Sequence, residues 1–270
     1  MTVHVDVLVA TTGRPCLAAA ERSAERALLA SDDITLHLQV VHDSDRRGPA
    51  WARNRAVEQG SAEFLALLDD DDLWLPGRLS RALEVLRERP EVALVCGEAL
   101  PLEGGLFLAA DPLGSGRPAT IEPGDHSHAD LAADCFVAAS SVTLRRADWD
   151  RAGGMPESFR QAEDYALWLQ LTRGGRPVHV LPDALCRLGT DGVRGASAEP
   201  GSAAATLAAL EEYAEPSAVQ AARRGPLLAV MAMDARRSGD RGAARNLARR
   251  ALNSAPDRSL SWKAALRALI

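Results

Sequence analysis

Apolar and polar residues follow two different periods along the first two-thirds of the chain. Residues 3–9 alternate with a period of two, which predicts a strand ending near Thr11, and residues 15–30 repeat apolar side chains at helical spacing. The same order of strand and helix recurs up to a fourth strand, with elements expected at 34–41, 49–59, 64–68, 76–90 and 92–95. This order predicts an α/β fold with a doubly wound, mostly parallel sheet flanked by helices.

The second half of the chain changes character twice. Residues 111–130 are rich in Gly, Pro, Asp and His and predict a loop that exposes His126 and His128. Strands are then expected at 136–144, 178–181 and 185–188, with a helix at 162–172. This completes a first domain at 1–190, and the composition of 191–201 predicts a linker or loop.

Residues 202–270 form a C-terminal annex whose pattern is entirely helical. Four helices are expected there, at 202–213, 217–237, 241–252 and 259–269. We expect the annex to pack on the sheet domain or on a second copy of the chain, which makes a homodimer through these helices one option.

Composition excludes several classes of protein. The chain has 37 acidic and 31 basic residues and a formal net charge of −6, which disfavours nucleic acid or an anionic membrane as the main partner. Because the only lysine is Lys263, Walker-A and protein-kinase chemistry are excluded. We expect no membrane span and no signal peptide, and hence a cytoplasmic protein.

Polar clusters follow each of the first three strands, where ligands bind in sheets of this kind. The third cluster is a run of four aspartates at 69–72, directly after an apolar strand. Because neighbouring carboxylates repel one another, such a run favours a bound Mn²⁺ or Mg²⁺ over the alternative, a solvated acidic turn. One or two carboxylates suffice when substrate phosphates supply the other ligands.

Four segments in one order resemble the family 2 glycosyltransferases, which have the GT-A fold. They are FLALLDDDDLWLP at 64–76, like the family's DxD segment, GPAWARNRA at 48–56, AGGMPE at 152–157 and AEDYALWLQL at 162–171. The resemblance covers roughly residues 3–190 and implies a metal-dependent, inverting transfer of a sugar from a nucleotide-sugar, with a UDP-sugar expected.

The resemblance also implies roles for individual residues on the donor side. Asp71 and Asp69 match the metal-binding positions of the DxD segment. The positions that match nucleotide-sugar contacts are Thr11, Arg14, Asp43, Arg53, Asp69 and Asp70. Asp43 is expected near the base, and Arg53 either near the diphosphate or in a structural ion pair.

On the acceptor side, Asp164 matches the general base and Glu163 its neighbour. Adjacent helical residues point about 100° apart, so the two carboxylates cannot share one task. The alternative is a pair of acids favouring the first turn of a helix. Ser140, Ser141 and Trp168 are candidate acceptor contacts. The acceptor is expected to be a small molecule or carrier-bound intermediate in solution, with a polysaccharide or cell-envelope glycan as the alternative.

Two departures from the family pattern keep other functions open. His42 stands where the family has a first acid, so thymidine or guanosine donors remain possible, and the Arg-x-His pattern is reduced to CRLG at 186–189. A catalytically degenerate GT-A scaffold is therefore one alternative. A haloacid-dehalogenase-type phosphatase also has Asp-x-Asp after a strand, but it requires a phosphate-holding lysine, for which Lys263 is poorly placed.

Overall fold

The computed structural model describes residues 2–28, 33–101, 122–189, 201–216 and 218–254, and in this part of the chain one mixed sheet organises the helices. The strands are β1 (Val3–Thr11), β2 (Ile34–His42), β3 (Phe64–Asp69), β4 (Leu73–Trp74), β5 (Leu94–Pro101), β6 (Gly124–His126), β7 (Thr143–Arg145) and β8 (Val178–Leu188). The helices are α1 (Leu17–Arg26), α2 (Pro49–Gln59), α3 (Arg78–Glu88), α4 (His128–Ala133), α5 (Arg146–Ala152), α6 (Glu163–Thr172), α7 (Ser202–Tyr213), α8 (Ala218–Arg237) and α9 (Arg241–Ser254). Short 3₁₀ turns lie at Ala139–Ser141 and Arg173–Gly175.

The strand order is β2-β1-β3-β7-β5-β8-β4, with β6 beside β8. Strand β1 pairs in parallel with both β2 and β3, and its last residues, Ala10 and Thr11, lie opposite Asp69 and His42. The polar residues that follow these three strands therefore meet at one edge of the sheet. The mixed, mostly parallel sheet confirms the predicted fold class, although β7 runs antiparallel between β3 and β5, and β4 and β6 run antiparallel to β8.

Both faces of the sheet are covered by helices and carry an apolar core. One core joins α2 and α6 to the sheet, and the other joins α1 and α3. The residues of β3 from Phe64 to Leu68 are at most 2 % exposed, because this central strand is covered on both faces. The aspartate run thus begins at the end of a strand whose other residues are fully buried.

Two regions differ from the prediction. Residues 136–144 do not form one strand, because a 3₁₀ turn at Ala139–Ser141 interrupts them and only β7 pairs with the sheet as a strand. The guanidinium of Arg78 donates to the carbonyl oxygens of Ser140 and Val142. The described part of the predicted loop contains β6 and the start of α4. His128 is buried there, which corrects its assignment to an exposed loop.

The annex packs on the sheet domain through α4 and α6. Arg223 of α8 donates to the Tyr165 hydroxyl (2.8 Å) and to the Ala132 carbonyl oxygen (3.0 Å). The Glu215 N–H donates to Nε2 of His128 (3.0 Å), so this ring nitrogen carries no proton. The predicted linker at 191–200 and the predicted helix at 259–269 lie outside the described residues, and the homodimer stays a prediction.

Candidate active site

The carboxyl ends of β1 and β3 bring Thr11 and Arg14 against the aspartate run. The Thr11 hydroxyl donates to Asp70 (2.5 Å) and accepts the Gly13 N–H (2.9 Å). Arg14 donates to Asp71 (2.9 Å) and also pairs with Asp70. The turn after β1 therefore fixes two of the four aspartates.

Arg53 joins the aspartate run to the first turn of α6. Its guanidinium donates to Asp69 (2.5 Å) and to Glu163 (3.0 Å), two residues that are far apart in the sequence. Asp164 follows Glu163 directly and is half-buried. The structure thus brings both acidic motifs to one cleft, and Arg53 occupies the structural ion pair that was one of its two predicted roles.

Carboxylates outnumber guanidiniums in this cleft. Its acids are Asp69, Asp70, Asp71, Asp72, Glu163 and Asp164, and the guanidiniums paired with them are those of Arg14 and Arg53. Burial raises the pKa of Asp71, and the charges of Asp69 and Asp70 raise it further against the opposing effect of Arg14. The cleft therefore favours an added cation.

Asp72, the last residue of the aspartate run, is held by hydrogen bonds from other parts of the chain. It accepts hydrogen bonds from the Ser140 hydroxyl (2.5 Å) and the Gly189 N–H (2.8 Å), and burial raises its pKa to about 7. A Cβ at Gly189 would collide with the carbonyl oxygen of Asp71. This contact explains the missing histidine at position 189, because no side chain fits there on this backbone.

The acids of α6 have unusual titration properties. Burial, followed by the charge of Asp164, raises the pKa of Glu163 to about 7. Burial also raises the pKa of Asp164, and the charge of Asp69 adds to that effect. Oδ1 of Asp164 accepts the Tyr165 N–H (2.7 Å), so the acid also interacts with the first turn of the helix. A half-buried carboxylate with a raised pKa is suited to accepting a proton.

Exposure divides the predicted donor contacts into two groups. The side chains of Arg14 and Asp69 are 38 % and 34 % exposed, and that of Asp71 is 13 % exposed. Thr11 and Arg53 are almost fully buried and position their acidic partners. A ligand in the cleft can reach the first group directly, whereas the second acts through its partners.

Four of the predicted contact residues are buried in this conformation, so their roles stay predictions. Asp70 is 1 % exposed and is held by Thr11 and Arg14. Ser140, Ser141 and Trp168 are at most 1 % exposed. The Ser140 and Ser141 hydroxyls donate to Asp72 and to the Ala138 carbonyl oxygen, and Trp168 lies in the apolar core.

Asp43 organises the loop between β2 and α2. Its two carboxylate oxygens accept the N–H groups of Arg47 (2.8 Å) and Gly48 (2.7 Å), and its side chain is buried. A base contact by Asp43 stays a prediction. His42, which replaces the family's first acid, is exposed at the end of β2.

The residues that could hold a metal are Asp71 and Asp69. Both supply hard carboxylate oxygens at the accessible rim of the cleft, and the surplus of acids fits a divalent cation. Among the described residues, no group of three or more His, Cys, Asp or Glu side chains is arranged to hold a metal ion. Two carboxylates suffice for a cation that takes its other ligands from substrate phosphates.

Comparison with known proteins relates part of this chain to a described family. Residues 24–107 match the family described as glycosyl transferase family 2. The amylovoran biosynthesis glycosyltransferase AmsE of Erwinia amylovora is 27 % identical over 153 residues, which cover 57 % of this chain and 54 % of that protein. The chain thus spans about half the length of the curated relatives that it matches.

Two solved structures share the fold. S. aureus TarS 1–349 in complex with UDP-GlcNAc has a TM-score of 0.60 at 13 % identity and covers 100 % of this chain and 89 % of that one. The mannosyltransferase PcManGT from Pyrobaculum calidifontis, in complex with GDP-Man and Mn²⁺, has a TM-score of 0.55 at 15 % identity. The match covers 99 % of this chain and 74 % of that one. No helix in the described part of the chain is long and apolar enough to cross a membrane.

Proposed function

Because the chain carries a glycosyl transferase family 2 segment at residues 24–107, we propose that it is a metal-dependent, inverting glycosyltransferase that uses a nucleotide-sugar donor. A UDP-sugar is the donor proposed first. The observation that carries the proposal is the bridge through Arg53, which places the aspartate run and the acids of α6 in one cleft.

On the donor side, the accessible residues hold the diphosphate. Asp71, with Asp69, would hold Mn²⁺ or Mg²⁺. When bound, the ion supplies charge neutralisation for the departing nucleoside diphosphate. Arg14 pairs with Asp71 and its side chain is 38 % exposed, so its guanidinium can contact the phosphates of a donor. Thr11 and Arg53 keep these groups in place.

On the acceptor side, Asp164 removes the proton from the attacking hydroxyl or amine. The acceptor oxygen or nitrogen forms a bond to the anomeric carbon, the bond from that carbon to the diphosphate oxygen breaks, and the proton passes to Asp164. Attack from the face opposite the leaving group inverts the configuration. Glu163 is held by Arg53 and positions the first turn of α6.

The acceptor proposed first is a small molecule or a carrier-bound intermediate. A polysaccharide or cell-envelope glycan is the second candidate, favoured by the role of AmsE in amylovoran biosynthesis. The cytoplasmic location expected from the sequence stays a prediction. A panel of nucleotide-sugars, screened for thermal stabilisation of the protein, identifies the donor.

Calorimetric titration with UDP tests the proposal. We expect UDP to bind in the presence of Mn²⁺, and we expect EDTA or Asp71→Asn to weaken binding by about ten-fold or more, since a charged ligand group is lost. Asp45→Asn, which changes an exposed aspartate of the β2–α2 loop, is the matched control. UDP binding that is indifferent to metal would favour the degenerate scaffold instead.

A further inference from the structure

Three arginines converge on the rim of the cleft, and we call Arg46, Arg47 and Arg160 the arginine rim. Arg46 and Arg47 lie in the loop between β2 and α2, and Arg160 lies in the segment that leads into α6. Nη1 of Arg160 donates to the carbonyl oxygen of Arg46 (2.8 Å). The same nitrogen lies 3.6 Å from the place of a Cβ on Gly48. All three side chains are exposed, in a chain whose net charge is −6.

The arginine rim carries positive charge without acidic partners. Within the described ranges, no carboxylate oxygen lies within 4.0 Å of these three guanidiniums, not even that of neighbouring Asp45. Two other arginines of the same helix region behave differently, since Arg53 and Arg55 both pair with carboxylates. Adjacent like charges repel, so the rim is suited to an anion that comes from outside the chain.

One guanidinium of the rim is held in a fixed orientation. The Arg47 guanidinium carbon lies 4.5 Å from the centroid of the Trp51 ring, and the backbone N–H of Arg47 is bound by Asp43. Stacking occupies one face of the guanidinium and leaves its N–H edge free to donate hydrogen bonds. The N-terminus of α2, an eleven-residue helix, adds partial positive charge at the same place.

The rim lies close to the general base. Arg160 precedes Glu163 by three residues, and Arg53, which contacts Glu163, lies five residues after Gly48 along α2. Five residues of helix advance about 7.5 Å. A group bound at the rim can therefore belong to the same molecule as the hydroxyl that faces Asp164.

We infer that the acceptor carries a phosphate or diphosphate group that the arginine rim binds. This inference rests on the proposed function and names the class of its acceptor. Guanidinium groups donate paired hydrogen bonds to phosphate oxygens. Three guanidiniums without a carboxylate partner match a group with two or more negative charges better than they match a single carboxylate.

The test measures binding of N-acetylglucosamine 1-phosphate, with neutral N-acetylglucosamine as its partner probe. UDP and Mn²⁺ are present at saturation, so that the donor site is filled. We expect the phosphate probe to bind about ten-fold more tightly than the neutral sugar, because charge-assisted hydrogen bonds are added. Added NaCl reduces this advantage, because the rim is exposed.

The double variant Arg47→Ala/Arg160→Ala should abolish the preference for the phosphate probe. Arg55→Ala removes a guanidinium of α2 that is already paired with Glu58, and it should keep the preference. Each single variant replaces the double variant if the latter does not fold. Equal binding of the two probes, or a preference that survives loss of the rim arginines, overturns the inference.

Two further measurements identify the source of the phosphate and distinguish a failure of this inference from a failure of the proposed function. Phosphatidylcholine vesicles that contain a polyprenyl diphosphate test a lipid-linked acceptor, and the sugar phosphate tests a water-soluble one. Binding of either probe through the rim supports the inference, and binding of neither overturns it. UDP binding without a phosphate preference contradicts the rim alone, whereas metal-independent UDP binding contradicts the proposed function alone.

Discussion

Two clusters of acids and arginines have opposite charge balances. In the active-site cleft, six carboxylates lie near the guanidiniums of Arg14 and Arg53, and four of the six pair with them. Around Asp148 on α5, one carboxylate that is 2 % exposed meets three guanidiniums, those of Arg145 (3.2 Å), Arg151 (2.6 Å) and Arg176 (2.5 Å). The first cluster has unneutralised acid, and the second has a surplus of cations.

The surplus in the second cluster is satisfied within the chain. Arg145 and Arg176 also donate to backbone carbonyl oxygens, including that of Val92, and so tie α5 and β8 to the segment before β5. Carboxylates have no N–H to donate to carbonyl oxygens, so the acids of the cleft cannot be satisfied in this way. Acid that is not neutralised within the described chain therefore points to a ligand, whereas a surplus of arginine on carbonyl groups points to a structural role.

The largest expected effect is on catalysis, from Asp164→Asn. Loss of the general base should reduce kcat by about 10² to 10⁴-fold, while UDP and metal affinity stay close to those of the parent protein. Transfer assays with a screened donor and calorimetry measure the two quantities. Asp134→Asn, at an exposed position before the segment that leads to β7, serves as the control.

An Asp164→Asn variant with full activity would contradict the assignment. Loss of donor affinity together with loss of activity would indicate that the acid supports the cleft as a whole. That outcome would also weaken the contrast between the two clusters.

The next effect concerns stability, from Asp148→Asn. We expect the free energy of unfolding to fall by about 3–5 kcal/mol, because three guanidiniums lose their shared buried partner. Urea denaturation measures the change. UDP affinity should stay the same in the folded fraction, since Asp148 contacts none of the cleft residues described above.

Asp150→Asn lies on the same helix at an exposed position and is the matched control for that stability measurement. Its free energy of unfolding should change by less than about 0.5 kcal/mol. Equal stability of the Asp148 and Asp150 variants would show that the arginine surplus is not a structural cluster.

A smaller effect is expected where the annex meets α6. Arg223→Met removes hydrogen bonds to the Tyr165 hydroxyl and the Ala132 carbonyl oxygen, and should lower the free energy of unfolding by about 1–3 kcal/mol. Arg224→Met, in the next position, removes only a half-exposed pair with Glu211 and should cost less than about 1 kcal/mol. Equal losses from the two variants, measured by urea denaturation, would argue against the docking role of Arg223.

The pattern of neighbouring residues predicted those elements whose bounds depend on neighbouring residues. The helix Pro49–Gln59 was predicted with its observed bounds, because Pro49 begins it and Gly60 follows it. The meeting of polar strand ends followed from parallel pairing alone. The strand expected at 136–144 is interrupted by the 3₁₀ turn at Ala139–Ser141, where Arg78, about sixty residues earlier, donates to two carbonyl oxygens. Local pattern carries no signal of such a distant contact.

Contacts that the local pattern does not reveal also determine the burial of several site candidates. Ser140 and Ser141 are predicted acceptor contacts, and in the structure their hydroxyls donate to Asp72 and to a backbone carbonyl group. Trp168 belongs to a helix that is apolar on nearly every side, a pattern typical of a buried helix rather than a binding surface. The hydrogen bond between Arg223 and Tyr165 has no signal in the sequence, because it depends on how the annex packs on the sheet domain.

The smallest effect is a pH dependence of opposite sign in the two clusters. The pKa of Glu163 is raised from 4.5 to about 7 in the folded state, mainly by burial. The folded protein therefore holds more protons than the unfolded chain between these values, and the free energy of unfolding falls as pH rises through that window.

Asp148 shows the opposite dependence. Burial opposes its ionisation, but hydrogen bonds from Arg176, Arg151 and Arg145 lower its pKa below 3.8, so its contribution to stability is lost as pH falls. Urea denaturation without metal should show the parent losing stability relative to Glu163→Gln between pH 4.5 and 7, and losing its advantage over Asp148→Asn only below about pH 4. Parallel curves for all three proteins across both windows would mean that the two clusters do not differ in how they hold their acids.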